Sequence, residues 1–486
     1  MNFIDEIVAA INPMAGVKRA QARMALDHVR GYDAAKVGRR TDGWTAGGGS
    51  ANVEINSSLI RVRNRCRDVV RNNEYAARAL ETLVVNTVGD GITIKAPDQS
   101  LWDDWCDYCD ADGQLDFNGL MELAVRTRRE SGEVIIRFRQ RLPEDGFKVP
   151  LQLQVLEPDH LDSTKMGPLA NGNFAIAGVE FNLIGQRVAY WLFPVHPGEV
   201  ATYRLQSFQS KRVPASEVLH YYRKRRPSQV RGMPEFAVSL LRLRDLADYE
   251  QAELVRKKIE SCFVAFVRTD DTSLRMGPAT QPDKAKPAQE KVAPGMIKYL
   301  SNSEGVDFGN PASGGGYGDY TETQLHAIAA GAGVMFSQMT GNLSRFNFSS
   351  YRAGLVDFRQ IIKAEQWLAL KPMVLAPIGR RFQEVALLAG ATKKPVQRLT
   401  YTMPKLQWVD PLKDVMAAKE EHRGTIKSIS ESIRERGDDP DKVFAEIAAE
   451  RQKLKDLGIL TDSDAAVSER LIDAATAAAM INEPAQ

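Results

Sequence analysis

At 486 residues the chain is longer than one hydrophobic core can serve, so three or more packed units are expected. Hydrophobic residues at 43% and charged residues at 26% suit an ordinary globular protein; four cysteines, no apolar run long enough to span a bilayer, and Asp5 and Glu6 where an export leader would be basic point to a reduced, cytosolic, unanchored chain. Net charge is only +2, from 64 Lys and Arg against 62 Asp and Glu, which excludes a surface that grips nucleic acid all over through its phosphates.

Residues 1–55 read as an arm that ends in the Gly- and Ser-rich stretch 41–54. From Ile55, the spacing of Leu59, Val62, Cys66, Val69 and Val70 predicts a helix, with Arg61, Arg63, Arg65, Arg67 and Arg71 forming a solvated basic side. A second helix is expected from Glu74 to Val85, and GITIKAP after the Val88–Gly91 turn reads as a strand. The acidic, aromatic stretch Trp102–Asp116 reads as a solvated loop before helical periodicity resumes at Leu120–Glu130.

Alternation then takes over. Val134, Ile136 and Phe138 oppose Ile135, Arg137 and Arg139, and LQLQVLEP, GVEFN and RVAYWLF follow, which predicts an antiparallel sheet. A strand over Val218–Tyr222 runs into the basic loop Arg223–Arg226, with Pro234 placed for the first turn of a helix. That helix is expected over 233–267, roughly 30 residues and about 45 Å long, with Leu240, Leu243, Leu246 and Leu254 on a side that needs neighbours.

Residues 270–318 are rich in Pro, Gly, Lys and Ser around a strand-like 296–300, an excursion between two longer supports. A shorter helix is expected over 321–334, then a loop over 336–350, then a helix capped by Ser349 or Ser350 that reaches Gly390. Pro372 and Pro377 require that helix to kink or to split into two abutting ones. The tail reads as a strand at LTYTMPKLQWV, a helix started by Asp410-Pro411, and further helices through Arg436, over 441–457 and weakly to Met480.

Catalytic chemistry is hard to find. Gly is never followed by Lys, so there is no phosphate loop of a packaging motor, and no H-E-x-x-H or G-x-S-x-G occurs. Cys106 and Cys109 have the spacing of half a zinc site without a second pair. Asp103, Asp104, Asp107, Asp110 and Asp112 could hold a divalent ion for phosphodiester chemistry, but a solvated acidic segment is the simpler reading, and the six histidines are scattered singly. No nucleophile, base and electrophile occur together, so the expectation is a chain without catalysis, metal or cofactor.

Six blocks taken together carry a family resemblance: GYDAAKVGRRTDGW from Gly31, RVRNRCRDVVRNNEYAARALETLVVNTVGDGI from Arg61, LEPDHLD from Leu156, RKRRPSQVRGMP from Arg223, LRLRDLADYEQAELVRKKI from Leu241 and FNFSSYRAGLVDFRQ from Phe346. With these the chain resembles the portal proteins of lambda-like tailed phages and prophages, nearly end to end. The resemblance implies an α+β portal fold with a mixed wing containing an antiparallel sheet, long stem helices, a long kinked helix and a helical C-terminal crown. Mapped here, it implies an arm at 1–55, the wing at 56–232, stem helices at 233–267 and 317–335 around a clip at 268–316, a tunnel loop at 336–350, the kinked helix at 351–390, a wing return strand at 391–411 and the crown at 412–486.

It further implies a homo-oligomeric, dodecameric ring at one capsid vertex of the virion, assembled in the host cytoplasm, that passes double-stranded DNA during packaging and ejection. The implied partners are the terminase large subunit, the major capsid protein, a scaffold or head protease, and a head-completion connector protein, with no membrane. A near-neutral chain suits a conduit, because a uniformly basic bore would bind the duplex and stall it. Arg345, Asn347 and Asn342 in the tunnel loop, with Lys257 and Lys258 on the first stem helix, are the candidate groups that keep DNA centred.

Overall fold

The computed structural model describes residues 46–199, 209–260, 316–404 and 410–459, short stretches between 12 and 43, and the backbone of two strands at 265–268 and 297–300. Residues 1–53 and 54–486 form separate units. Most of the expected arm at 1–55, nearly all of the excursion at 268–316, the tail beyond 459 and Cys262 lie outside the described residues.

The fold is mixed α+β, as the alternating and helical patterns require. Helix α1 (Ala51–Asn72) leads into α2 (Glu74–Val88), whose N-terminus is capped by the Asn73 side chain accepting from the Ala76 amide. Strand β1 (Thr93–Lys95) follows, then α3 (Gln99–Tyr108) and α4 (Phe117–Ser131). The helix α3 corrects the expected acidic loop: Trp102 and Trp105 are buried on one face while the aspartates take the other. Their ring centroids lie 5.1 Å apart in a tilted pair and 4.9 and 5.2 Å from that of Phe382, Trp102 meeting it edge to face, and this aromatic packing outweighs the local charge.

Two antiparallel sheets carry the alternating segments. In the first, β2 (Glu133–Gln140) lies between β3 (Leu151–Leu156) and β9 (Val218–Tyr222), in register Ile136 to Val155 and Ile135 to His220. The second runs in chain order through β4 (Gly167–Pro168), β5 (Phe174–Ile176), β6 (Val179–Phe181), β7 (Arg187–Leu192) and β8 (Lys211–Pro214). A small core of Ile135, Val179, Tyr190, Leu192 and Val218 joins them, while the larger core runs from residues 76–88 and 117–125 to the helical rod at 358–386 and the strand at 399–403.

The solvated reading of the α1 arginines holds for Arg61, Arg65 and Arg71 and is corrected for Arg63. Arg63 is 1% exposed and its guanidinium lies 2.6 Å from Glu133, itself fully buried. Arg231 reaches the same carboxylate at 2.6 Å, His220 Nε2 at 2.9 Å, and the Gly232 amide donates to it at 2.8 Å. Burial alone would raise the Glu133 pKa, but Arg231, His220 and Arg63 hold it well below its ordinary value. Burial lowers His220 to about 4, so the ring is neutral at pH 7. Gly232 is required here, since a Cβ at that position would sit 2.1 Å from the Gly132 carbonyl oxygen.

The expected helix over 233–267 is shorter. A 3₁₀ turn at Glu235–Val238 precedes α5 (Leu240–Glu260), and Ala265–Arg268 is a strand, β10, paired in parallel with β11 (Ile297–Leu300). Leu240, Leu243 and Leu246 are buried within the chain, whereas Leu254 is 54% exposed. Helix α6 (Tyr317–Ala332) runs antiparallel to α5: Ser239 approaches Ile328 and Gly331, while Leu254 and Lys257 share a cleft with Gly316 and Tyr317.

Beyond it, α7 (Phe336–Thr340) and α8 (Phe348–Glu365) flank a turn, and α8 continues without interruption through a π-helical segment, Gln366–Leu375, into α9 (Ala376–Leu388). The two prolines that called for a kink or a split sit at this change of winding. Pro372 lacks an N–H and its ring would strike the preceding turn of an α-helix, whereas the wider i→i+5 winding admits it; Pro377 falls in the first turn of α9. Glu365, at the start of the π segment, takes Arg128 at 3.2 Å and the Tyr221 hydroxyl at 2.5 Å, and Gln366 donates to the Thr87 carbonyl at 2.8 Å. These buried bonds fasten the rod to α4, β9 and α2.

The tail returns through β12 (Thr400–Thr402), antiparallel to β1, and ends in α10 (Pro411–Arg423), α11 (Ile429–Glu435) and α12 (Pro440–Asp456). The expected Asp410-Pro411 start is borne out, with the Asp410 side chain accepting from Lys413 N.

Candidate DNA-channel site

The segment 336–350 is less of a loop than its composition suggests. Phe336 and Met339 are buried, which winds 336–340 into α7, and Gly341, at φ 74, ends it in a conformation only glycine adopts freely. The remaining turn, 341–347, is exposed except for Phe346, which packs against the core.

Each candidate in this turn has a local task. Asn342 Oδ1 accepts from the Ser344 amide at 2.9 Å and hydroxyl at 2.7 Å. Asn347, not Ser349 or Ser350, caps α8, its Oδ1 accepting from Ser350 N at 2.7 Å, and Ser350 Oγ returns the contact as the third residue of a capping box. Arg345 is 69% exposed and turns back onto α6, 2.9 Å from Glu322 and 4.0 Å from Asp319.

Lys257 and Lys258 are exposed in the last turn of α5. Lys257 lines the cleft with Glu250, Glu253, Arg256, Tyr317 and Gly318. Arg345 and Lys257 therefore both meet the first turns of α6, where Arg256, Lys257 and Arg345 are accompanied by Glu250, Glu253, Asp319 and Glu322. The result is a mixed, near-neutral surface that can make single phosphate contacts without a strong net pull.

The acidic residues of 103–112 do not converge. Asp110 is buried and accepts the amides of Asp112, Gln114 and Leu115, Asp103 accepts from Gln99, and Asp104 pairs with Lys148 at 2.5 Å. Burial and the neighbouring aspartates raise the Cys106 and Cys109 thiols, and burial pushes Cys66 up to about 12, so all three are protonated core residues. Among the described residues one set of metal-competent groups meets, Glu157, Asp159 and His196. Arg67 already bridges its two carboxylates at 3.0 and 2.6 Å, which makes it an ion-pair cluster. Sequence reading had no signal for it, because His196 comes from a turn far along the chain from Glu157 and Asp159.

A chain in a solved structure titled as the virion of a native gene transfer agent particle is similar at 14% identity and a TM-score of 0.43, covering 82% of this chain and 98% of that one. The probable portal protein of Halomonas phage phiHAP-1 is 29% identical over 462 residues, covering 88% of each chain, and the portal protein of Escherichia phage N15 is 19% identical over 484 residues, covering 87% and 89%. Residues 37–366 match the model of the phage portal protein, lambda family. With more than half of its length so matched, the chain belongs to the lambda family of phage portal proteins.

Proposed function

We propose that this chain assembles into a dodecameric ring at one capsid vertex, a non-catalytic conduit through which double-stranded DNA enters and leaves the head. In this reading α5 and α6 are the stem, 268–316 the clip that docks the terminase large subunit and later the head-completion connector, 336–350 the tunnel loop and 412–486 the crown. The wing at 56–232 meets the major capsid protein and the scaffold or head protease during assembly in the host cytoplasm.

The observation that carries the reading is the exposed turn 341–347 between the antiparallel α5–α6 pair and the long rod. It offers a guanidinium and two amide side chains beside a surface of balanced charge. A duplex sliding past such groups meets weak, repeated contacts instead of a uniform basic wall.

Arg345→Glu tests it. Rings and empty heads should form as in the wild type while packaging or genome retention fails, and normal yields of filled heads would remove the turn from DNA handling. Electron microscopy of the purified protein should show rings with a central hole; a compact monomer at all concentrations would overturn the assembly.

A further inference from the structure

A second basic feature lies apart from the candidate channel residues. Arg223, Lys224, Arg225 and Arg226 are consecutive and exposed. Their loop is rigid, because Gln229, 3% exposed, accepts the amides of Arg225 at 2.7 Å and Arg226 at 3.1 Å and donates to the Arg231 carbonyl at 2.7 Å. Tyr222 adds a bond from its hydroxyl to the Gln229 carbonyl at 2.9 Å.

The same loop is locked onto α1. Arg226 lies 2.5 Å from Glu54, and Arg231 and Arg63 share Glu133. Arg61 and Arg65 follow Glu54 by seven and eleven residues, within about 20° of one line along the helix. Both are exposed, and among the described residues neither they nor Lys224 has an acidic partner. Of the six cations, Arg226 pairs with Glu54, and Arg225 and Arg223 lie 3.1 and 3.6 Å from Glu235, which is already shared with the buried Arg128 and Arg129.

We propose that this loop and the Glu54–Arg65 face of α1 form a second nucleic-acid site, an arginine platform for the phosphates of a DNA duplex, independent of the channel reading. Five of the six cations are arginines, whose planar fork suits phosphate oxygens. The face advances about 16 Å from Glu54 to Arg65, a length over which a duplex carries about ten phosphate charges. An acidic protein segment fits less well, since protein interfaces centre on apolar or aromatic anchors. Arg223–Ser228 contains none, and the exposed Ile60 projects about 120° from the cationic line.

The test is binding of a fluorescent DNA duplex to the full-length assembled protein between about 50 and 200 mM salt, with Arg61→Ala/Arg65→Ala/Lys224→Ala against wild type and Arg345→Glu. The triple variant should bind about tenfold more weakly at low salt, with the slope of log K against log salt reduced by about 2 to 3 for three lost phosphate contacts. Arg61→Lys with Arg65→Lys should keep most of the wild-type slope. An unchanged slope in the triple variant, or complete loss of binding in Arg345→Glu alone, would overturn the platform. Binding of poly-glutamate in preference to DNA would also overturn it, in favour of an acidic protein partner. So would failure of the triple variant to reach the wild-type mass by light scattering, which would place these residues in a subunit contact.

Discussion

Replacing Glu133 by Gln removes one negative charge from the centre of the fold while keeping the side chain's size. The carboxylate accepts from Arg63, from Arg231 through both Nε and Nη2, from His220 and from the Gly232 amide. In the variant, two guanidiniums that are 1% and 0% exposed lose their common counter-ion, and only Asp159, 3.7 Å from Arg63, remains nearby. Breaking a buried pair from one side costs about 3 to 5 kcal/mol. The new amide N–H₂ also faces donors, which adds an unmade bond worth about 1 kcal/mol or more. Some of this is relieved through Asp159, so a loss of about 4 kcal/mol is expected. Urea unfolding followed by tryptophan fluorescence reads it, because Trp102 and Trp105 are buried in the same unit. Adding Arg63→Met should recover part of the loss. A decrease under about 1 kcal/mol would show that the hub is not held by charge, and the reasoning would fail.

The same hub gives a pH dependence. His220 is neutral in the folded state down to about 4, whereas unfolded histidine takes up a proton near 6.5, so stability should fall by about 3 kcal/mol as pH drops from 6.5 to 4; His220→Gln should flatten that part of the urea-stability profile. Glu133 works at lower pH, since its depressed pKa contributes stability above the ordinary carboxylate range that is lost only as pH falls through the lower folded value. Gly232→Ala should cost about 2 kcal/mol in the same unfolding assay, because backbone meets backbone there and neither segment can rotate away. Asn347→Ala should lower stability by about 1 kcal/mol through the lost cap. Asn347→Asp keeps the cap but adds repulsion for phosphate, so it should spare stability and reduce the yield of filled heads.

Where the pattern had a simple period, the sequence was readable. Val134 to Arg139 alternate because Val134, Ile136 and Phe138 fill the larger core while the other face of this stretch buries only Ile135 and leaves Arg137 and Arg139 partly exposed, and Asp410-Pro411 announces a helix by cap chemistry alone. Composition misled at 102–116, where aspartates suggested a loop although two tryptophans at three-residue spacing needed a common buried face. The arginines of α1 misled in the opposite direction. Arg63, four residues after Leu59 and three before Cys66, lies on the apolar stripe that Arg61 avoids, but only the partner supplied seventy residues later by Glu133 lets a guanidinium be buried there. The caps and ion pairs of the candidate site were similarly hidden: Arg345 could be singled out as a charge in a polar turn, but its contact with Glu322 depends on how that turn folds back. The end of α5 escaped notice because Ala265–Arg268 contains no breaker, and its change to strand depends on pairing with Ile297–Leu300.

The π-helical stretch of the rod also settles a question of phase. Buried residues along it fall at Phe358, Ile362, Glu365 with Gln366, Ala369 with Leu370, then Val374 with Leu375, Ile378 and Phe382. The steps are three or four residues except for one inside the π segment, from Ala369 and Leu370 to Val374 and Leu375, which is five. One surplus residue is thus stored as extra winding, and both arms present their apolar stripes to the same side. Had the chain stayed α-helical with the same residues, everything after the segment would be turned by about 100°, and Phe382 would swing away from Trp102 and Trp105. Counted as length, Gln366–Leu375 is an insertion that the rod absorbs by changing pitch, which ties the azimuth of α9 to the number of residues there and makes a single-residue deletion a rotation of the whole C-terminal arm.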